Sequence, residues 1–358
     1  MLSVKAEKML EINGRLVGEN EPPYIIAEIS ANHNGSIDKA FAIIDMAKRS
    51  GADAVKMQTY TPDTITLNSK KTDFMITEGL WAGNSLYDLY AKAFTPWEWH
   101  ADLFAHAKSQ GITIFSTPFD SSAVELLEKL NAPAYKIASF ECIDLPLIRV
   151  AASTGKPLII STGMANDGEI QEAVDTAIKY GSGDLVLLHC ISGYPATAAD
   201  YNLRTLVDMK SRFGKDVGLS DHTMENTTAI AAVAMGAVMI EKHVTLDRAG
   251  GGPDDSFSLE EEGLKELCMT SNTAWEALGK INYQRTEAEK GNLKFRRSLY
   301  FVNSLDAGAE ITEKDIRSVR PGFGLAPKYY EQVIGTRLSK KVEKHTPVTR
   351  DSLIINLK

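Results

Sequence analysis

From Tyr24 onward, short apolar runs recur along the chain, each followed by a polar turn and then a longer stretch with helical spacing. The runs are YIIAEIS (24–30), ADAVKMQT (52–59), ITIFST (112–117), AYKIAS (134–139), PLIIST (157–162), DLVLLHC (184–190), DVGLS (216–220) and AVMIEKH (237–243). Near-continuous apolarity over such lengths suits strands buried on both faces, as parallel strands covered by helices are. Between them, apolar residues fall three and four apart, as in Ala40, Ile43, Ile44 and Ala47, with Gly51 as a stop. Eight alternations predict a closed (β/α)8 barrel; an open doubly wound sheet requires that one or two strands be miscounted.

Two stretches break the rhythm. Before the first run, LEINGRLVG sets Asn13-Gly14 between short apolar-polar alternations, a hairpin signal that predicts a cap on the barrel's closed end. Between the second and third runs lie about fifty residues, a length that is usually functional when ordered. Their aromatics, Trp81, Tyr87, Tyr90, Phe94, Trp97 and Trp99, predict a packed lid over the open mouth, with Pro96 at the first position of a helix.

After a helix over 259–280 the composition changes. INYQRTEAEKGNLKFRRS reads as a linker, and the remainder gives short alternating runs with turn residues. The expected organisation is a barrel over 1–282 with its N-terminal hairpin, a linker over 283–296, and a small β-rich domain over 297–358.

Charge and cysteine content narrow the class. Lys and Arg number 39 against 47 Asp and Glu, a net charge of -8, which argues against nucleic acid. Cys142, Cys190 and Cys268 are too few and scattered for a disulfide framework, so a reducing cytoplasm fits. The start, MLSVKAEKML, lacks a long apolar stretch, and no run approaches the roughly 20 residues that span a bilayer.

Strand ends are where such a barrel puts its chemistry. Those ends carry Glu28, Lys56, Gln58, Ser116, Thr117, Lys136, Ser139, Ser161, Thr162, His189, Ser220, His222, Glu241 and His243. Taken singly, a strand-end lysine is more often an ion-pair partner, a serine such as Ser220 or Ser36 a helix N-cap, and a histidine a satisfied core residue. Together they make a polar set in apolar strands, which is costly to bury without a shared polar ligand. Two lysines and several hydroxyls suit a phosphate with a carboxylate. His222 and His243 would leave a metal with open positions, unlike a closed zinc site. Such a donor set suits Mn2+, Fe2+, Co2+ or Zn2+, with Mg2+ less natural for nitrogen. A Schiff-base aldolase using Lys136, and a non-catalytic carbohydrate-binding protein, are the rival readings.

The segments EISANHNG, KMQTY, STPFD, YKIAS, STGM, LHC.SGYP, GLSDHT, EKHVTLD, GGPDDSFSLE and VRPGFG, in this order, resemble the sialic acid synthases. The lid segment SLYDLYAKAFTPWEWH and RAGGGPDDSFSLE are similar to the pseudaminic branch. That resemblance implies condensation of phosphoenolpyruvate with an amino sugar aldehyde, giving phosphate and a nine-carbon 2-keto acid. In the pseudaminic branch the sugar is 2,4-diacetamido-2,4,6-trideoxy-L-altrose; neuraminate and legionaminate synthases use other amino sugars. The resemblance also implies a TIM barrel joined to an antifreeze-protein-like (SAF) domain, in a cytoplasmic homodimer with swapped C-terminal domains. By motif, His222 and His243 would bind a divalent metal (Mn2+ or Mg2+, with Co2+ a third candidate). Lys56, Thr117, Lys136, Ser139, Ser161 and Ser220 would hold phosphoenolpyruvate. Glu28 would be catalytic with the two histidines, and Gln58, Tyr194, Asp254 and the partner-reaching Arg320 would face the sugar. An asparagine contact of the family falls on Asn84.

Overall fold

The computed structural model of the chain describes residues 10–181 and 184–354; the outermost residues of both expected domains, 1–9 and 355–358, lie outside the described residues. The chain divides into a unit ending at Gly279 and a second unit from Lys280.

In the first unit, a hairpin of β1 (Leu10–Ile12) and β2 (Arg15–Val17) precedes eight barrel strands. These are β3 (Tyr24–Glu28), β4 (Ala54–Thr59), β5 (Thr113–Pro118), β6 (Tyr135–Ile137), β7 (Leu158–Ser161), β8 (Leu185–Cys190), β9 (Asp216–Asp221) and β10 (Met239–His243). All pair in parallel in chain order, and β10 closes on β3. Every predicted run is a strand, and the barrel is closed. The helices are α1 (Ile37–Ser50), α2 (Pro62–Ile65), α3 (Leu86–Ala93), α4 (His100–Gln110), α5 (Ser121–Lys129), α6 (Leu145–Ala152), α7 (Asp167–Tyr180), α8 (Arg204–Phe213), α9 (Thr227–Ala234) and α10 (Glu261–Leu278).

Local chemistry sets these elements. Ser36 caps α1 by accepting from the Lys39 N–H, and Gly51 ends it in the left-handed conformation at φ 90°. Asp120 and Asp144 cap α5 and α6 in the same manner as Ser36. Pro96 is not the first helical residue: it precedes a 3-10 turn, Trp97–Trp99, that leads into α4.

Side chains alternate across each strand, so two cores form. One lies between strands and helices, with Ile25, Ala27, Val55, Ile137, Ile160 and Leu187 among its members. The other fills the lower barrel, where Tyr24, Ile26, Ala54, Phe115, Ala134, Ile159, Val186, Leu188 and Met239 point inward. Leu10, Ile12 and Val17 of the hairpin join that inner core. Asn13 and Gly14 turn the hairpin at φ 50° and 85°, both left-handed, and it plugs the end opposite the site. Gly218 is needed for closure: a Cβ there would stand 2.4 Å from the Met239 carbonyl oxygen and 2.6 Å from Leu188 Cδ2.

The second unit contains β11 (Ser298–Phe301) antiparallel to β12 (Ile316–Val319), around Leu299, Phe301, Ile311, Val333, Leu338 and Val348. Regular strand is sparser than the alternation suggests, with isolated bridges such as Tyr300 to Pro347 doing the rest. The expected linker contains α11 (Glu287–Lys290) and a 3-10 turn at Leu293–Phe295.

Candidate active site

Above the plug, each inward row turns polar one step from the strand's end. Ile26 is followed inward by Glu28, Ala54 by Lys56 and Gln58, Phe115 by Thr117, and Ala134 by Lys136. Likewise Ile159 leads to Ser161, Leu188 to Cys190, Gly218 to Ser220 and His222, and Met239 to Glu241 and His243. Register holds them level: Glu28 lies opposite Lys56 on one side and His243 on the other, and Glu241 opposite Ser220.

The resulting cavity, of about 460 Å³, is lined by Glu28, Lys56, Gln58, Thr117, Lys136, Ser139, Tyr194, His222, His243 and Asp254. Ser161 and Ser220 share the inward rows but are buried and do not line it. The expected lid forms the opposite wall, through Ile65, Ile76, Trp81, Leu86, Leu89, Tyr90 and Ala93. Trp81 Nε1 donates to the Pro253 carbonyl at 3.0 Å, and its ring lies 5.6 Å from that of Tyr194. Asn84 donates to the Trp81 carbonyl and lines an adjoining groove instead of this cavity. Arg320 belongs to the second unit, where it is exposed beside the cis peptide Arg320-Pro321.

Alternation corrects three members of the strand-end set. Ser116 faces outward, bonded to Thr59 and the Met57 carbonyl; Thr162 donates to the Leu188 carbonyl; His189 bonds the Tyr201 carbonyl at 2.5 Å. None lines the cavity. Glu141, by contrast, lines it but lies past the end of β6. Ser192 is half-buried with its hydroxyl unpartnered, and a Cβ on Gly163 would stand 2.4 Å from it and 2.8 Å from Ser139 Oγ. The glycine in STGM is therefore what lets that loop approach Ser139, to whose Oγ the Gly163 N–H donates at 3.1 Å.

At the centre, Lys56 Nζ lies 2.7 Å from Glu28, 3.5 Å from Glu241 and 3.0 Å from Thr117 Oγ1. Lys136 Nζ lies 3.5 Å from the same Glu241 oxygen. Burial pushes the Glu28 carboxyl up, against the pull of Lys56. Burial alone would raise Glu241 too, but Lys136 and Lys56 hold it below the usual carboxylate range. For Lys56 burial is outweighed by Glu241 and Glu28, whereas Lys136, with a single shared carboxylate, is pushed down by burial. Burial also raises Glu141, to about 7, with Lys136 opposing.

Two buried polar atoms on the inward rows have no protein partner. The Ser161 hydroxyl is one, and His243 Nδ1 is another. His222 Nδ1 bonds the Ile191 carbonyl at 2.8 Å, which makes it the protonated nitrogen and leaves Nε2 with its lone pair. Burial, with His222 and the two lysines nearby, holds His243 well below the ordinary imidazole pKa and so neutral. Burial also opposes charge on His222, but the Cys190 sulfur at 4.0 Å, the Ile191 carbonyl and Glu241 outweigh it and raise its pKa. The two rings are 5.5 Å apart. No three His, Cys, Asp or Glu side chains converge as a ligand set among the described residues. His222 Nε2 and His243 Nδ1 are the imidazole nitrogens this cavity offers to an ion, whose other positions would be open to water or substrate oxygen.

Charge supports a cation as well. Glu28, Glu141, Glu241 and Asp254 outnumber Lys56 and Lys136 among the carboxyl and ammonium groups lining the cavity. An entering anion enlarges that imbalance, and a divalent cation would offset it.

The NeuB family model matches residues 43–283, and the SAF domain model matches 296–354. Pseudaminic acid synthase of Helicobacter pylori is 43% identical over 337 residues, covering 93% of this chain and 98% of that protein. N,N'-diacetyllegionaminic acid synthase of Campylobacter jejuni is 36% identical over 324 residues, 89% of this chain and 97% of that protein. Among solved structures, N-acetylneuraminic acid (sialic acid) synthetase from Leptospira borgpetersenii superposes with a TM-score of 0.72 at 29% identity, covering 80% of this chain and 95% of that one.

Proposed function

The chain belongs to the NeuB family, and from that membership we propose that it carries out the pseudaminic acid synthase reaction. Phosphoenolpyruvate condenses with 2,4-diacetamido-2,4,6-trideoxy-L-altrose to give phosphate and a nine-carbon 2-keto acid. The observation that carries this reading is one cavity at the barrel mouth lined by two ammonium groups and two imidazoles. The choice of sugar rests on the 43% likeness to pseudaminic acid synthase against 36% for the legionaminic enzyme.

In this reading Lys56 and Lys136 hold the phosphate and carboxylate of phosphoenolpyruvate by charge. Thr117, Ser139, Ser161 and Ser220 supply directed hydrogen bonds. Gln58, Tyr194 and Asp254 hold the sugar so that its aldehyde carbon faces C3 of the enol phosphate; positioning two reactants accounts for much of the acceleration. Glu28, whose carboxyl burial raises, orients the aldehyde and handles a proton there. Carbon attack leaves C2 electron-poor, water adds to it, and phosphate departs by C–O cleavage. A divalent ion, Mn2+ or Mg2+ with Co2+ as a third candidate, would be held by His222 Nε2 and His243 Nδ1. When bound, it supplies Lewis-acid polarisation of the aldehyde oxygen.

The barrel over 1–282 is the catalytic unit, followed by a linker over 283–296. The antifreeze-like domain over 297–358 acts in a homodimer with swapped C-terminal domains, Arg320 reaching the partner's sugar. A cytoplasmic setting accords with three free cysteines, and among the described residues no helix is long and apolar enough to cross a membrane.

The test is phosphate release from phosphoenolpyruvate with N-acetylmannosamine, its 2,4-diacetamido analogues and the L-altro sugar. The L-altro sugar should give the highest kcat/KM, and chelation should abolish turnover; equal or faster turnover of another sugar overturns the assignment. Lys136, pushed down by burial, is the group that favours a Schiff-base lyase. Borohydride trapping with a keto acid would reveal that chemistry.

A further inference from the structure

Ser30 stands just beyond β3 with φ 48°, a left-handed conformation that side-chain-bearing residues rarely adopt, and is 4% exposed. The backbone around it is held from outside: the Ile29 N–H donates to the Lys56 carbonyl, and Asn32 Nδ2 donates to the Val244 carbonyl and Ser258 Oγ, both at 2.8 Å. That enforced turn aims the Ser30 hydroxyl into the cavity, between Gln58 and Asp254.

The hydroxyl has one proton to give. Ser30 Oγ lies 2.5 Å from Asp254 Oδ2, and Asp254 also receives the Ala31 N–H, so the carboxylate is the acceptor and the Ser30 proton is spent on it. Ser30 Oγ must then accept from Gln58 Nε2, 3.0 Å away. The same nitrogen donates to Glu28 Oε1 at 2.9 Å. Both amide protons of Gln58 are thereby committed, one to Ser30 and one to Glu28. Among the described residues no protein donor meets Gln58 Oε1, and the side chain lines the cavity.

We propose that Ser30 is a positioning residue. Its hydroxyl fixes the orientation of the Gln58 amide, so that the Gln58 carbonyl oxygen faces the amino sugar as an acceptor for one of its N–H or O–H groups. Without Ser30 Oγ, the Glu28 carboxyl alone holds the amide, and the Gln58 carbonyl oxygen is less firmly fixed toward the sugar. Asp254 loses a donor at the same moment. Of the groups assigned to phosphoenolpyruvate, Lys56 meets this chain of hydrogen bonds only at its far end, through Glu28, and Lys136, Ser139 and Ser161 make no contact with it. The inference rests on the sugar-side assignment made above.

The experiment compares Ser30→Ala and Ser30→Gly in the full-length protein, measuring KM for each substrate, kcat and Tm. Glycine removes the hydroxyl while relieving the left-handed strain, so it separates the bond from the backbone. Both variants should lose about tenfold or more in kcat/KM for the sugar, the scale of one buried hydrogen bond to a charged or oriented group. KM for phosphoenolpyruvate should stay within about twofold, and the glycine variant should melt at or above the parent temperature. Parental sugar kcat/KM in the glycine variant, or equal rises in both KM values, overturns the proposal. The ratio is read on whichever amino sugar the parent turns over fastest. A parent preferring another sugar therefore overturns the sugar assignment and leaves the Ser30 result readable.

Discussion

Glu28 is the residue whose environment is least explained by stability. It is 1% exposed, bonded to Lys56 and Gln58, in register with His243 on the neighbouring strand, and its carboxyl is pushed up by burial. An ordinary barrel would place an aliphatic side chain on that inward row, as it does at Ile26. Glu28→Gln keeps the volume and loses the proton acceptor, so turnover should fall by about 10²-fold or more with Tm within a few degrees of the parent. An unchanged kcat would remove Glu28 from the chemistry. His100 makes the opposite case, a buried histidine with a structural task. Its Nε2 meets Thr59 Oγ1 at 2.8 Å and its Nδ1 the Pro96 carbonyl at 3.1 Å, and burial lowers its pKa to about 4. The folded pKa lies below the ordinary value, so the unfolded state binds the proton more readily. The histidine's contribution is complete above pH about 6.5, declines as pH falls toward 4 and is flat below that. Its full size is on the order of 3 kcal/mol. Urea unfolding of the parent and of His100→Asn across that window should show their difference shrinking as pH falls; a difference that grows on acidification contradicts the assignment.

Within each element, alternation separates chemistry from architecture. Lys242 follows Glu241 on β10 and faces outward, where Asp221 Oδ2 at 2.8 Å and the carbonyls of Thr223 and Glu225 satisfy it. Lys136 faces inward and shares one carboxylate with Lys56. Replacing Lys242 by Met leaves Asp221 buried and unpaired, and should cost about 3–5 kcal/mol of stability. The surviving folded enzyme should keep its parental KM for phosphoenolpyruvate, whereas Lys136→Met should spare stability and lose that KM; the reverse pattern contradicts the division. The same alternation decides what was legible in the sequence. Strand positions could be read because parallel strands covered on both sides are apolar throughout, and all eight were. For the same reason hydrophobicity did not tell inside from outside, so Ser116, Thr162 and His189 were grouped with the site although they face the helices. Counting in twos from Thr117 and Ser161 would have removed Ser116 and Thr162, and counting from His243 promotes Glu241. Glu141 ends a 3-10 turn and Ser192 stands in a loop, where the strand period does not operate; only the glycine of STGM, needed for close approach to Ser192 and Ser139, signals that these segments converge.

On the scale of the whole molecule, the barrel's two ends do different work. The hairpin and inner apolar core close one end, and every polar inward position gathers at the other. Arg320 belongs to the second unit, and the proposed reach into a partner's cavity would make the active site a property of the dimer. Arg320→Ala and Glu28→Gln should each be impaired alone. After co-refolding, a mixed population should recover part of the parental rate, because some sites then combine an intact Glu28 with an intact Arg320. Recovery of none, with heterodimers present by mass, would contradict the shared site.

The central claim is that this mouth joins two carbon skeletons and expels phosphate by breaking the carbon–oxygen bond of phosphoenolpyruvate. The direct measurement uses phosphoenolpyruvate labelled with 18O in the bridging oxygen, turned over with the L-altro sugar, and reads the masses of both products. The label should leave with inorganic phosphate, and the keto acid should carry oxygen from solvent water at C2. Label retained in the keto acid would mean phosphorus–oxygen cleavage, and would contradict the roles given to Glu28, the lysines and the hydroxyls around them.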